Sequence, residues 1–123
     1  MPRFVILEHA SPRGLHWDLM LQTGEVLATW ALAEPPRPGA TIAAEALPDH
    51  RPFYLDYEGP ISGGRGAVTR WDQGTYEFEV RDPDKISVLL QGEKLTGRAT
   101  LERSTDDPQR RLWLFSLGLG GTP

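Results

Sequence analysis

The stretch Leu15-His16-Trp17-Asp18-Leu19-Met20-Leu21-Gln22 alternates between two kinds of side chain. Residues two apart on a strand leave the same face. Leu15, Trp17, Leu19 and Leu21 therefore form one side, and His16, Asp18, Met20 and Gln22 the other. The first side predicts core; the second, polar at one end, predicts a cavity or a solvent face. Upstream, Ser11-Pro12-Arg13-Gly14 reads as a turn, and Arg3 to Glu8 as a short buried strand. Downstream, Thr23-Gly24-Glu25 is a hairpin signal, and Val26 to Leu32 returns with Trp30 buried.

Further along, Glu34-Pro35-Pro36-Arg37-Pro38-Gly39 is irregular, because proline fixes φ and removes a donor. Thr41 to Leu47 reads as an extended or one-turn connector, since its alanines favour helix but the segment is short and ends before Pro48. Asp49 to Pro52 reads as a loop, Phe53 to Glu58 as a strand, and Gly59 to Gly66 as a glycine-rich loop. That loop lacks the Lys-Ser/Thr ending of a nucleotide P-loop. Strands are expected over Ala67–Asp72, Thr75–Arg81, Lys85–Leu90, Lys94–Leu101 and Arg111–Leu117. Turns at Gln73-Gly74, Asp82-Pro83-Asp84 and Gln91-Gly92-Glu93 separate the first four. Glu102 to Gln109 reads as a loop, and the glycine-rich tail as frayed. Eight or nine short strands at this spacing, with no long helical period, predict an all-β chain with little helix, an antiparallel barrel or sandwich.

The chain has 123 residues, enough for one domain with a real core, and residues 1–123 are read as a single domain. Thirteen basic against seventeen acidic residues give a net charge of −4, which argues against a general duplex binder but not against local contact with a strand end. With no cysteine, disulfides and thiolate ligands are excluded, so any metal must be held by His, Asp or Glu. No secretion signal and no membrane span are read in the sequence, so a cytoplasmic location with no membrane partner is expected.

The chemistry concentrates around the opening stretch. His16 and Asp18 share a strand face, and the Pro12-Arg13-Gly14 turn can fold His9 back beside His16. Two imidazoles and a carboxylate suit manganese, zinc or iron(II) and leave positions for water and substrate. The same residues also fit a polar strand end with two solvated histidines. His50 is a candidate general acid or phosphate donor, and Tyr54, four residues on, can donate to a phosphate oxygen. Arg13, Arg65 and Arg70 are candidates for a phosphate clamp, because guanidinium binds phosphate in a bidentate way. Glu77 and Glu79 read as an exposed face.

Several stretches taken together resemble one family, the 3′-phosphoesterase domain attached to bacterial DNA ligase D. Phe4 to Leu21 is similar to its opening, with a histidine, a short loop and then Leu-His-aromatic-Asp. Leu27 to Leu32 around Trp30, Asp49-His50 with Tyr54 and Glu58-Gly59, Trp71-Asp72-Gln73-Gly74-Thr75, and Gly92-Glu93-Lys94-Leu95-Thr96-Gly97 follow in the family's order. The resemblance implies a compact antiparallel β-barrel of about eight strands and a manganese-dependent phosphodiesterase and phosphomonoesterase. Such an enzyme removes a 3′-terminal ribonucleoside and then the remaining 3′-phosphate, leaving a 3′-hydroxyl. Its partners would be DNA 3′ ends, with or without a terminal ribonucleotide, in a repair context that can include a ligase or polymerase.

Carried over residue by residue, His9, His16 and Asp18 would hold the metal, with His16 thereby part of the catalytic set. His50 and Tyr54 would contact or protonate the scissile phosphate. Three departures stand out. One extra residue separates the first two histidines, Met20 stands where the family has an arginine, and Ile42 replaces a second arginine. Arg65 or Arg13 is expected to substitute for these cations from another direction. A non-catalytic relative that binds a nucleic-acid end or a repair-protein partner is the alternative reading.

Overall fold

The computed structural model describes residues 1–109 and 111–118. The first four strands, β1 (Arg3–Ser11), β2 (Gly14–Thr23), β3 (Val26–Leu32) and β4 (Thr41–His50), form one antiparallel meander. After a 3-10 turn at Pro52–Leu55 and the short β5 (Gly59–Pro60), a second meander follows. It comprises β6 (Ala67–Asp82), β7 (Lys85–Gly92), β8 (Thr96–Arg103) and β9 (Leu112–Leu117). The meanders join along two seams, β4 with β9 and β1 with β6, so eight strands close into a hydrogen-bonded ring and β5 hangs on β6. The expected all-β, barrel-like architecture is the one observed.

Alternation sorts the side chains as the opening stretch predicts. Leu19 and Leu21 point into the ring with Phe4, Ile6, Trp30, Leu32, Ile42, Tyr76 and Phe115, all buried. Leu15 is the exception at 51% exposed, because it lies at the hairpin end beyond the reach of the core. The other face of β1 and β2 is not open to solvent. Val5, Leu7, Met20, Leu27 and Val68 form a second, smaller core on the outside of the barrel wall, capped by Leu55 from the 3-10 turn. Covered on both faces, Phe4 to Leu7 is a continuous apolar run rather than an alternating one.

Four segments differ from expectation. Thr41 to His50 is a ten-residue strand, not a connector followed by a loop. Pairing with both β3 and β9 overrides the helix preference of its alanines. Phe53 to Glu58 is not a strand: Pro52 opens a single 3-10 turn that buries Leu55 and leaves Phe53 52% exposed. Ala67 to Asp82 is one sixteen-residue strand running through Gln73-Gly74. There is no turn at Gly74 because Gln91 lies alongside; a Cβ there would come 2.0 Å from the Gln91 carbonyl oxygen. Finally, Lys94 and Leu95 belong to the turn before β8. The expected frayed tail, from residue 119 on, lies outside the described residues.

Asp72 accounts for that last turn. Its buried carboxylate accepts the backbone N–H groups of Gln73 at 2.8 Å, Lys94 at 2.9 Å and Leu95 at 3.0 Å. Gly92 passes so close that a Cβ would come 2.5 Å from Asp72 Oδ2 and 2.7 Å from Phe4 Cζ. Both the Trp71–Thr75 and the Gly92–Gly97 stretches are thus joined by one structural contact.

Candidate metal and phosphate site

The β1–β2 hairpin sets His9 directly opposite His16 and Leu7 opposite Asp18, on the outer face of the barrel wall. The turn is tight because the Ser11 hydroxyl donates to the Gly14 carbonyl at 2.8 Å and accepts the Arg13 N–H at 3.2 Å. The two imidazoles stand 4.5 Å apart between centroids. His9 Nδ1 lies 3.1 Å from Asp18 Oδ2, and His16 Nε2 lies 3.1 Å from Asp18 Oδ1. One ligand atom from each of the three residues falls within 4.8 Å of the others.

Two details bear on whether this set fits a cation. His9 Nε2 lies 2.7 Å from the Arg65 carbonyl oxygen, which can only accept, so Nε2 carries the hydrogen. Its Nδ1 faces Asp18 Oδ2 at 3.1 Å, so that ring nitrogen is directed at the carboxylate rather than at solvent. A histidine whose second nitrogen donates to a backbone carbonyl is the usual support for a metal ligand. Asp18 Oδ1 is likewise buried without a hydrogen-bond partner, since His16 Nε2 approaches it at contact distance but off the bonding direction. Ligands about 2.1 Å from a common ion stand up to about 4.2 Å apart, so small side-chain adjustments close the set. The residues fit a divalent metal.

The side-chain interaction with Asp18 raises the His16 pKa above that of an ordinary imidazole. Burial opposes this, and the charges of Arg13 and Glu45 pull in opposite directions.

Arg65 owes its position to Gly66. There φ is +90°, and a Cβ would lie 1.9 Å from the Ala10 carbonyl oxygen, so only glycine lets the loop press onto β1. The Arg65 guanidinium bends back to Ser62, its Nε donating to the Ser62 carbonyl at 2.8 Å.

A bulge delivers His50. Thr29 pairs with Leu47 but Leu27 pairs with His50, so β4 carries an extra residue at Pro48-Asp49. The extra residue restores His50 to the outer face. Its Nδ1 donates to the Pro48 carbonyl at 2.9 Å, leaving Nε2 available. Tyr54 comes from the 3-10 turn and meets the His50 ring edge to face, with centroids 5.6 Å apart. A cavity of about 140 Å³ is lined by His9, Asp18, His50, Tyr54, Arg65 and Met20, among others.

A larger trough of about 580 Å³ shares His9 and Arg65 with that cavity and adds His16, Arg13 and Glu45. The structure therefore gathers seven of the eight residues expected at the site from sequence around His9 and Arg65. Arg70 stands apart from both cavities: its backbone N–H donates to Glu58 Oε2 at 2.7 Å, and its charge acts on Asp56. Met20 does stand in the small cavity, at 1% exposure. Ile42 does not; it packs inside the barrel. Glu45 and the Arg65 carbonyl were not apparent from sequence. Glu45 sits in the alanine-rich segment read as a connector, and no side-chain pattern reports a backbone carbonyl.

A barrel with a His/His/Asp cluster on its outer wall and a histidine–tyrosine pair beside it defines the class. A family model described as the DNA Ligase D 3'-phosphoesterase domain matches residues 7–103. The chain belongs to that family. It is 34% identical over 113 residues to the multifunctional non-homologous end joining DNA repair protein LigD of Mycobacterium tuberculosis H37Rv, covering 85% of this chain and 15% of that protein. Identity to the LigD of Pseudomonas aeruginosa is 32% over 124 residues, covering 92% and 14% respectively. With the LigD of Mycolicibacterium smegmatis it is 36% over 115 residues, covering 80% and 15%. The chain thus spans about one seventh of the length of these relatives. No helix among the described residues is long and apolar enough to cross a membrane.

Proposed function

We propose that this chain is a metal-dependent 3′-phosphoesterase that trims DNA 3′ ends, with or without a terminal ribonucleotide, to a 3′-hydroxyl. The observation that carries the reading is the convergence of His9, His16 and Asp18 beside a cavity that also holds His50 and Tyr54. Family membership supports a hydrolase acting in DNA repair. The three ligands would hold a divalent ion, manganese by preference. Bound there, it would polarise a phosphoryl oxygen and favour hydroxide over water.

The chain's own groups supply the rest. Tyr54 donates its hydroxyl proton in a hydrogen bond to a phosphoryl oxygen. His50, held through Nδ1 by Pro48, presents Nε2 to the leaving oxygen. As hydroxide, formed when water gives a proton to solvent, bonds to phosphorus and the ester P–O bond breaks, the His50 Nε2 proton passes to the departing oxygen and is replaced from solvent. Arg13 and Arg65 provide positive charge at the site, where Met20 replaces a cation of the family pattern. We place the protein in the cytoplasm with the DNA it serves, alongside a ligase or polymerase.

The test is incubation with manganese and a single strand ending in a 3′-phosphate. Phosphate release that disappears in His16→Ala is the expected result; no release with any divalent metal overturns the proposal. Met20 favours one second reading, a non-catalytic module, because a buried thioether occupies part of the small cavity. Tight binding of the same strand without turnover is the outcome that selects it.

A further inference from the structure

The 3-10 turn carries more aromatic surface than the proposed reaction uses. It sends Leu55 inward to cap the outer core and leaves Phe53 52% exposed. Two neighbours hold the Phe53 ring in place. Tyr57 lies against it with centroids 4.7 Å apart and planes 32° from parallel, and Tyr54 meets it edge to face at 5.1 Å. Tyr57 is itself fixed, because its hydroxyl donates to the Pro60 carbonyl. Through Tyr54 the exposed ring connects to His50, and those two residues line the small cavity. The Arg51 guanidinium stands over the Phe53 ring, 5.8 Å from its centroid. Flat groups in contact are spaced about 3.5 Å apart, so a base between ring and guanidinium needs about 7 Å. A shift of about 1 Å by the exposed Arg51 side chain opens that slot. Asp56, the acidic group at the end of the turn, does not oppose an incoming phosphate, since it is paired with Arg3 at 2.8 Å.

We infer that Phe53 and Arg51 form a stacking shelf for one base of the retained strand, upstream of the scissile phosphate. The inference rests on the phosphoesterase reading and deepens it. A base seated there covers the exposed phenyl face, while the guanidinium covers the base from above and keeps N–H groups free for the adjoining phosphate. Every base has such a face, so the shelf tolerates any sequence. The arrangement suits a chain of net charge −4, which has no bulk positive field with which to hold a strand along its length. A local aromatic contact at the strand end does that work instead. Phe53 is in this sense a positioning residue: it sets where the strand lies relative to His50 and Tyr54 and takes no part in the bond changes.

The experiment measures binding of labelled single strands ending in a 3′-phosphate by fluorescence anisotropy, with calcium in place of manganese. One strand is complete, and three others each carry an abasic residue at one of the last three positions. Phe53→Ala is expected to weaken the complete strand about tenfold, the effect of one stacked base, and Phe53→Trp to preserve it. One of the abasic strands is expected to bind the wild type about tenfold more weakly and to lose nothing further in Phe53→Ala. Equal weakening of all four strands by Phe53→Ala overturns the inference, because the ring then acts by bracing Tyr54 rather than on a base. Unchanged binding of the complete strand overturns it as well and leaves the exposed ring to a protein partner. Phosphate release from the complete strand with manganese is measured alongside. Its absence in the wild type counts against the phosphoesterase reading and leaves the binding comparison to decide the shelf.

Discussion

The Arg65 carbonyl and the Asp18 carboxylate grip His9 from opposite sides, and that clamp makes its two ring nitrogens unequal. His50 is fixed in the same way by Pro48, with the opposite nitrogen left free. Under the proposed function the two histidines would serve different tasks, His9 to coordinate and His50 to transfer a proton. His50→Ala is expected to slow turnover by about 10²–10⁴-fold, the usual loss of a general acid, while manganese binding measured by calorimetry stays intact. Loss of metal affinity in that variant would move His50 into the coordination set instead. Arg13→Ala and Arg65→Ala address the charge that Met20 fails to supply. Each is expected to lower phosphate release about tenfold, as losing a charge-assisted hydrogen bond does, and unchanged rates in both would dismiss the substitution idea.

The elements that carry these residues are ordinary strands adjusted at a few points. The bulge at Pro48-Asp49 turns His50 outward, and the close approach of Gly66 to Ala10 puts a carbonyl behind His9. Gly66→Ala is therefore expected to reduce manganese affinity about 10–100-fold, the range for lost outer-shell support of a metal ligand. A circular-dichroism melt run in parallel separates this from general unfolding, and full affinity in a folded variant would show the carbonyl to be dispensable. The same adjustments explain what the sequence let one read. The His16–Asp18 pairing, the hairpin partner His9 and the all-β class follow from period-two alternation and turn residues. A bulge leaves no such period, so Asp49-His50 looks like a loop. In Phe53–Glu58 the alternating aromatics mimic a strand, while the prolyl ring at Pro52 quietly starts a helical turn. Alanines in Thr41–Leu47 carry too little side chain to declare their faces, which is also why Glu45 went unnoticed.

At the scale of the whole molecule, the barrel interior and the site are separate investments, because the site lies on the outer wall. Asp72 belongs wholly to the interior's closure, accepting three backbone N–H groups. Asp72→Ala leaves those donors buried and unpaired, which is expected to lower stability by about 3 kcal/mol in urea unfolding. Metal content in the surviving folded fraction should be unchanged; a parallel loss of metal would tie the two regions together.

The two seams have a consequence in time as well as in space. Each meander pairs strands that are neighbours in sequence, whereas β1–β6 and β4–β9 join segments far apart along the chain. Contacts of long sequence separation are the slow ones in folding, since loop-closure entropy must be overcome before they form. His9, His16 and Asp18 lie within the first meander, yet the loop that steadies His9 bridges to β6. The ligands can thus meet early in a nascent hairpin, but their backing arrives only when the second half of the chain docks. Tight metal uptake during refolding would then mark the end of the process rather than its beginning.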